Sequence, residues 1–474
     1  MKKTTRYSVS LALLIALTTV ITGCKKYLEI PLPIDQLATE TVYKDSKTIL
    51  AAADGMYSNF ASGLLQANTI RFTNWISDEG RIDPIPGSDL GNLIAGNLQE
   101  GNTQTLPWNW YYPTIYRANE LIERLPGVPN TVMGESARRG LIAAAKYVRA
   151  ANHFFLASYW GDIPLALNTD AVTNIASGRT PVDQVFAQVL RDLYESVADL
   201  PATVNQTNPR VVHNRFQSLA LLARVHLYLG NWARADSAAT AVINSGQFQL
   251  VTGVNNVFRK NSRETIFALG ASGTGLLFEN RAVVGWLTLP ASSAATLSSN
   301  CHIPAQFLAN FETGDQRNVS GNWTISLFSR TFSNKYLHNT SATAAAIAAA
   351  PQDFIYQRVA EVYLIRAEAK AKQGLVTGAN SASTDLNLIR TRAGLTNATA
   401  TTQADMLAAI AKERACELFY EGFRWLDLKR TGVLNTTLAA LPWKSANHKS
   451  HMELLPIVSS ELIASPRISQ NPGY

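Results

Sequence analysis

The twenty residues Glu413–Gly432, ERACELFYEGFRWLDLKRTG, restrict the possible folds of this chain more than any other stretch. Glu413, Glu417 and Glu421 recur at spacing four, which puts them on one helix face; Glu421, Arg424, Asp427 and Arg430 recur at spacing three with alternating sign. Leu418, Phe419, Tyr420, Phe423, Trp425, Leu426 and Leu428 cover nearly all the remaining circumference, and a helix that is apolar all round is normally buried. A carboxylate taken out of water must be paired, and the arginines of the same window can pair bidentately. The window therefore predicts a buried structural ion network of Glu413, Glu417, Glu421, Arg424, Asp427 and Arg430. The competing reading is metal binding or acid–base chemistry. A di-iron bundle would need Glu-x-x-His pairs, and no His lies between Gln352 and Pro442. No metal and no cofactor is expected.

Glu413, Arg414, Glu417, Glu421, Gly422, Arg424, Asp427, Leu428, Arg430 and Gly432 match, position by position, the C-terminal signature of the SusD/RagB family, which this string resembles. Further stretches resemble that family: Arg358–Ala369, Leu388–Leu395, the turn Tyr159–Leu165, Asp315-x-Arg317, Lys335-Tyr336 and the final Gln470-Asn471-Pro472-Gly473-Tyr474. The resemblance touches both ends, so the chain reads as complete. It implies an outer-membrane lipoprotein that binds a nutrient, in most members an oligosaccharide, and closes as a lid over a SusC-type TonB-dependent transporter.

The N-terminus supports export. Residues 1–23 have a basic start, an apolar run from Val9 to Ile21 and then small residues, the pattern of a secretory signal peptide. The run is too short for a stable membrane span. It ends Ile21-Thr22-Gly23-Cys24, which resembles the bacterial lipobox, so Cys24 is the expected lipidation site and membrane anchor, with residues 24–38 as the tether. Only Glu29 is acidic near Cys24, a weaker signal for exposure on the outer face than for anchoring itself. Removing Lys2, Lys3 and Arg6 with the leader lowers the formal charge from +7 to +4, and no basic run remains, which argues against nucleic-acid binding. Cys301 and Cys416 read as two separate buried thiols, with a disulfide as the alternative.

Residues 39–474 read as a single, mainly α-helical domain built from tetratricopeptide-like helix pairs, at about 39–246 and 352–432, with a loop and short-strand insertion at about 247–351 and a tail at 433–474. Periodicity places helices after Ser46, over Tyr111–Leu125, from about Glu135, from Thr180-Pro181 as cap and first turn, over 213–246 and 355–393, and over 404–421. The Gly-x-Trp-x-x-Ala core at Gly230–Ala235 has small residues for close helix approach. Strand-like pieces fall at 248–251, 264–269, 286–289, 323–328 and 452–457.

Catalytic motifs are absent: no HExxH, CxxC, G-x-S-x-G or phosphate loop occurs, and the Gly-rich 270–275 lacks the required Lys. No catalytic residue is assigned. Sugar binding needs flat aromatic faces in loops with polar groups at the rim. Trp75, Trp286 and Trp323 meet that condition, with Asp78 as a rim acceptor; Trp108, Trp110, Trp160, Trp232 and Trp425 read as structural. The expected ligand is an oligosaccharide. A peptide, as in the RagB branch, is the first alternative and a surface glycosidase the second.

Overall fold

In a computed structural model, the structure describes residues 39–61, 69–83, 87–100, 107–204, 213–269, 301–327, 329–336 and 352–474. The leader, Cys24, the tether, the Gly-rich 270–275 and Trp286 with its expected strand lie outside the described residues. The chain divides into two compact units, Met1–Leu50 and Ala51–Tyr474. In the first, a short helix Thr39–Val42 precedes the start of α1 (Ser46–Phe60), and Thr48 Oγ1 donates to the Asp45 carbonyl at 2.8 Å.

The second unit is mainly helical. It contains α2 (Thr69–Ile76), α3 (Trp108–Arg124), α4 (Glu135–Trp160), α5 (Val182–Asp199), α6 (Arg215–Tyr228) and α7 (Trp232–Asn244), then α8 (Val359–Lys372), α9 (Ala382–Arg392), α10 (Gln403–Leu418) and α11 (Arg424–Arg430). Most helices pack on a neighbour in chain order: α3 on α4, α4 on α5, α5 on α6, α6 on α7, α7 on α8, and α8 on both α9 and α10. Alanines make the α7–α8 region close-packed, with Ala235, Ala239, Ala360, Ala367 and Ala371 fully buried. Helix α4 is a hub, buried at every position from Tyr147 to Trp160. Its Arg149 is held bidentately by Asp192 of α5 at 2.8 and 2.7 Å and donates to Asn119 of α3 at 2.9 Å, so the guanidinium inside this buried stretch is paired.

Two helix boundaries depart from the sequence pattern. Pro181 is the residue before α5 rather than its first turn, and Thr180 does not cap it. Thr180 is taken by a β-bridge to Ile163, and Asp162 Oδ1 accepts from the Val182 N–H at 2.8 Å instead. Helix α10 stops at Leu418, because Tyr420 (φ +58°) and Gly422 (φ +89°) reverse the chain. Glu421 thus leaves the helix face that Glu413 and Glu417 share.

Strand β1 (Thr265–Leu269) pairs antiparallel with β4 (Phe354–Arg358) through an irregular register near Phe267; β2 (Thr324–Leu327) and β3 (Arg330–Ser333) form a hairpin. The expected strands at 264–269 and 323–328 coincide with β1 and β2. Residues 248–251 form no strand, and 452–457 begin in the 3-10 turn Ser450–Glu453 and continue without strand structure, held by single bonds such as Leu455 N–H to the Tyr159 carbonyl at 2.9 Å. Strand β4 occupies the start of what periodicity assigns to a helix: Phe354, Ile355 and Tyr356 favour a pleated, buried surface, and all five β4 residues are buried.

Candidate functional site

The acidic window is an interior ion network. Arg358, at the end of β4, donates through Nε and Nη2 to both Glu421 oxygens at 2.8 Å, through Nη2 to the Glu417 carbonyl at 2.7 Å and through Nη1 to the Glu417 carboxylate. Arg317 Nη1 is shared by Glu413 (2.6 Å) and Glu417 (2.9 Å) while its other nitrogens hold Asp315. Arg392 bridges Glu264 and Glu417. Lys335 Nζ donates to the carbonyls of Glu417 (2.8 Å) and Phe419 (2.7 Å) and to Glu421 (2.7 Å), a cation set at the C-terminal end of α10. Burial pushes the Glu417 carboxyl upward, but the guanidinium groups of Arg392, Arg358 and Arg317 outweigh it and hold it well below the usual carboxylate range. Burial dominates at Glu413 instead, whose pKa is raised. Within the window itself, Asp427 is held by Arg414 at 2.9 and 3.0 Å and by Arg430 at 2.8 Å, and Arg430 also grips Glu368. The partners of the three glutamates, by contrast, come from outside the window.

A different cluster has free polar valences. Arg81 and His302 exchange backbone hydrogen bonds at 2.9 and 2.8 Å, which aligns two distant segments. The approach requires Gly80, since a Cβ there would collide with Cys301 Sγ and come within 2.9 Å of the Asn74 carbonyl. Arg81 Nη2 is 2.7 Å from Asp83, His302 Nε2 is 3.3 Å from the other Asp83 oxygen, and the Arg81 guanidinium lies 4.9 Å from the Trp443 ring centroid. Arg81 and Asp83 are about one-third and one-quarter exposed, at 32% and 27%. Arg81 Nε, His302 Nδ1 and Trp443 Nε1 have no hydrogen-bond partner among the described residues. Burial brings the His302 pKa down to about 4, so the ring is neutral at pH 7. A proton on Nε2, facing Asp83, leaves Nδ1 as an acceptor. Lys444 fixes the tail that carries Trp443: its Nζ donates to the carbonyls of Trp75 and Ile94, both at 2.8 Å. The cluster combines donors, acceptors and an aromatic ring at the edge of a rigid scaffold.

The family model described as the SusD family matches residues 308–474, and the model described as starch-binding, associating with the outer membrane, matches residues 26–227. The chain belongs to the SusD family. A SusD-like protein of Formosa agariphila is 26% identical over the full length of both chains. The starch-binding protein SusD of Bacteroides thetaiotaomicron is 34% identical over 122 residues, 25% of this chain and 21% of that one. A solved laminarin-binding SusD-like protein superposes with a TM-score of 0.74 at 25% identity, covering 91% of this chain and 100% of that one. SusD-family membership sets the chain among binding proteins rather than enzymes. Among the described residues no helix is long and apolar enough to cross a membrane.

Within this SusD-family fold, three of the sequence-predicted ligand residues occupy interior positions. Trp75 lies in α2 rather than in a loop and is 6% exposed. Asp78 is no rim acceptor: both its oxygens are held by Arg424 at 2.8 Å, an ion pair joining segments 346 positions apart. Trp323 is 1% exposed, donates to the Val254 carbonyl at 2.7 Å and faces Lys335 at 4.7 Å, Arg392 at 5.5 Å and Arg358 at 5.7 Å. It is the aromatic wall of the ion network. Trp286 lies outside the described residues. Trp110, expected in the core, is 49% exposed. Cys301 and Cys416 are free and buried, and burial raises both thiols to about 12. The sequence reading passed over Arg81, Asp83, His302 and Trp443. Two signals pointed to them: Arg81 and Asp83 open the Gly- and Pro-rich stretch just after Trp75–Glu79, and Trp443 is the single Trp of the tail.

Proposed function

We propose that this chain captures an extracellular glycan at the outer membrane and passes it to a SusC-like TonB-dependent transporter, tethered by lipid on Cys24 and facing the exterior. The observation that carries this reading is the Arg81–Asp83–His302–Trp443 cluster. It sets the partly exposed Arg81 and Asp83 side chains beside an indole, the mix of donor, acceptor and ring that hydroxyl-rich ligands require. The starch-binding family model and the relatives named for starch and laminarin support a β- or α-glucan as the first ligand to try. Trp286 stays assigned to ring stacking on sequence grounds alone.

The test is retention of the purified mature chain in gels containing starch or laminarin. Wild type is expected to be retarded by one of them without releasing reducing ends. Arg81→Ala, His302→Ala and Trp286→Ala should each migrate freely while melting like wild type. Retention unchanged in all three variants overturns the site, and release of reducing ends overturns the binding role in favour of a glycosidase. Cys24→Ala should move the protein from the membrane to the soluble fraction.

A further inference from the structure

A cleft of about 740 Å³ lies between the C-terminal end of α4, the start of α5, α11 and the last residues of the chain, and shares no residue with the Arg81–Trp443 cluster. That volume is in the range of small-molecule sites. Its walls are held independently of any ligand. Arg179 donates to the Asp162 carbonyl at 2.8 Å and to the Ser469 carbonyl at 3.0 Å, and Asn471 Nδ2 donates to the carbonyls of Trp160 (3.0 Å) and Leu455 (2.8 Å). Phe186 and Tyr228 both stand edge-on to Phe154, which fixes two aromatic rings in the lining.

The polar groups of the lining are under-used. Asp162 spends one oxygen on the Val182 N–H and Glu453 spends one on Asn435, leaving the second oxygen of each without a partner among the described residues. Lys429 Nζ gives a single hydrogen bond, to the Ser158 carbonyl at 2.6 Å; burial lowers its pKa to about 8. Ser158 Oγ, in a residue 8% exposed, and Tyr228 Oη have no hydrogen-bond partner among the described residues. The charges balance: Arg430 is neutralised by Glu368 and Asp427, and Lys429 and Arg179 stand against Asp162 and Glu453. A ligand that is neutral, rich in hydroxyls and carries an apolar ring face would satisfy these groups; a strong anion or cation would not.

We propose that this cleft is a second glycan-binding site, taking one or two pyranose units. The inference is independent of whether the Arg81 cluster binds. The experiment is hydrogen–deuterium exchange of the mature chain with saturating maltotriose or laminaritriose, in wild type, Arg81→Ala, Glu453→Gln and Phe186→Ala. Protection is expected over residues 157–162, 426–430 and 469–472 in wild type and in Arg81→Ala. It should be lost in Glu453→Gln and Phe186→Ala, with affinity at this site falling about tenfold or more, roughly 1.4 kcal/mol. Glu453→Gln is nearly isosteric and keeps the bond from Asn435, so it reads binding even where Phe186→Ala unfolds. Absence of protection in these segments with either trisaccharide, or protection that both variants retain, overturns the proposal. Protection confined to the cleft, with none near residues 81 and 302, counts against the primary site only.

Discussion

Arg358 illustrates how a charge can be kept inside a protein. Its guanidinium is 1% exposed and reaches the carboxylates of Glu264, Glu417 and Glu421 together with the Glu417 carbonyl. Removing it leaves three acids short of a partner where water cannot substitute. Arg358→Met should therefore lower unfolding free energy by about 3–5 kcal/mol, read from urea titration, and an unchanged midpoint would refute the interior-brace reading. Asp78→Asn tests the reassignment of that residue: it should destabilise the fold by weakening the bond to Arg424 while glycan affinity stays at the wild-type level. The three acids of the α10 window were legible because their spacing in an apolar surround permits no solvated arrangement. Their partners were not, since Arg317, Arg358, Arg392 and Lys335 are brought in by the fold from outside the window. The same gap misplaced Asp78 and Trp323. A Trp that follows Ser320, Gly321 and Asn322 looks like a loop residue until Val254 and three cations close around it.

Among the elements, the reversal between α10 and α11 decides the most. A continuous helix would carry Glu421 one turn further along the face that Glu413 and Glu417 share. The break at Tyr420 and Gly422 turns Glu421 onto Arg358 and directs α11 back across α2. Gly422 is needed twice, for its φ of +89° and because a Cβ there would sit 3.1 Å from Ile70 Cγ1. Gly422→Ala should cost about 1–2 kcal/mol from the backbone alone, with extra loss from the contact on α2; thermal melting measures it. Helix phases in α3, α4, α6 and α8 were legible from their apolar repeats. Strand β4 was not, because five buried residues leading directly into a buried helix show no change of period at their junction.

For the molecule as a whole, acid is the informative perturbation. His153 and His213 are buried, and burial lowers both pKa values to about 3 from an ordinary 6.5. The unfolded chain takes up these protons below pH 6.5 and the native one does not, so their contribution is full above 6.5 and is lost as pH falls toward 3. Each group adds a slope of up to roughly 1.4 kcal/mol per pH unit in that window. Glu79, raised to about 8 by burial, acts in the opposite sense between pH 8 and 4.5. Comparing His153→Leu with wild type isolates one histidine: the variant should show a visibly shallower loss of stability between pH 6 and 4, and parallel curves would show that His153 is charged in the native state.

The bonds from Asn471 to Trp160 and from Arg424 to Asp78 join sites 311 and 346 positions apart. Such closures reward the polypeptide only after almost all of it has been synthesised. The helix pairs that pack in chain order can form before these two closures, which then lock the early segments to the late ones. A chain cut short before Arg424 would lack both clasps, and its Asp78 would be left buried without its guanidinium partner.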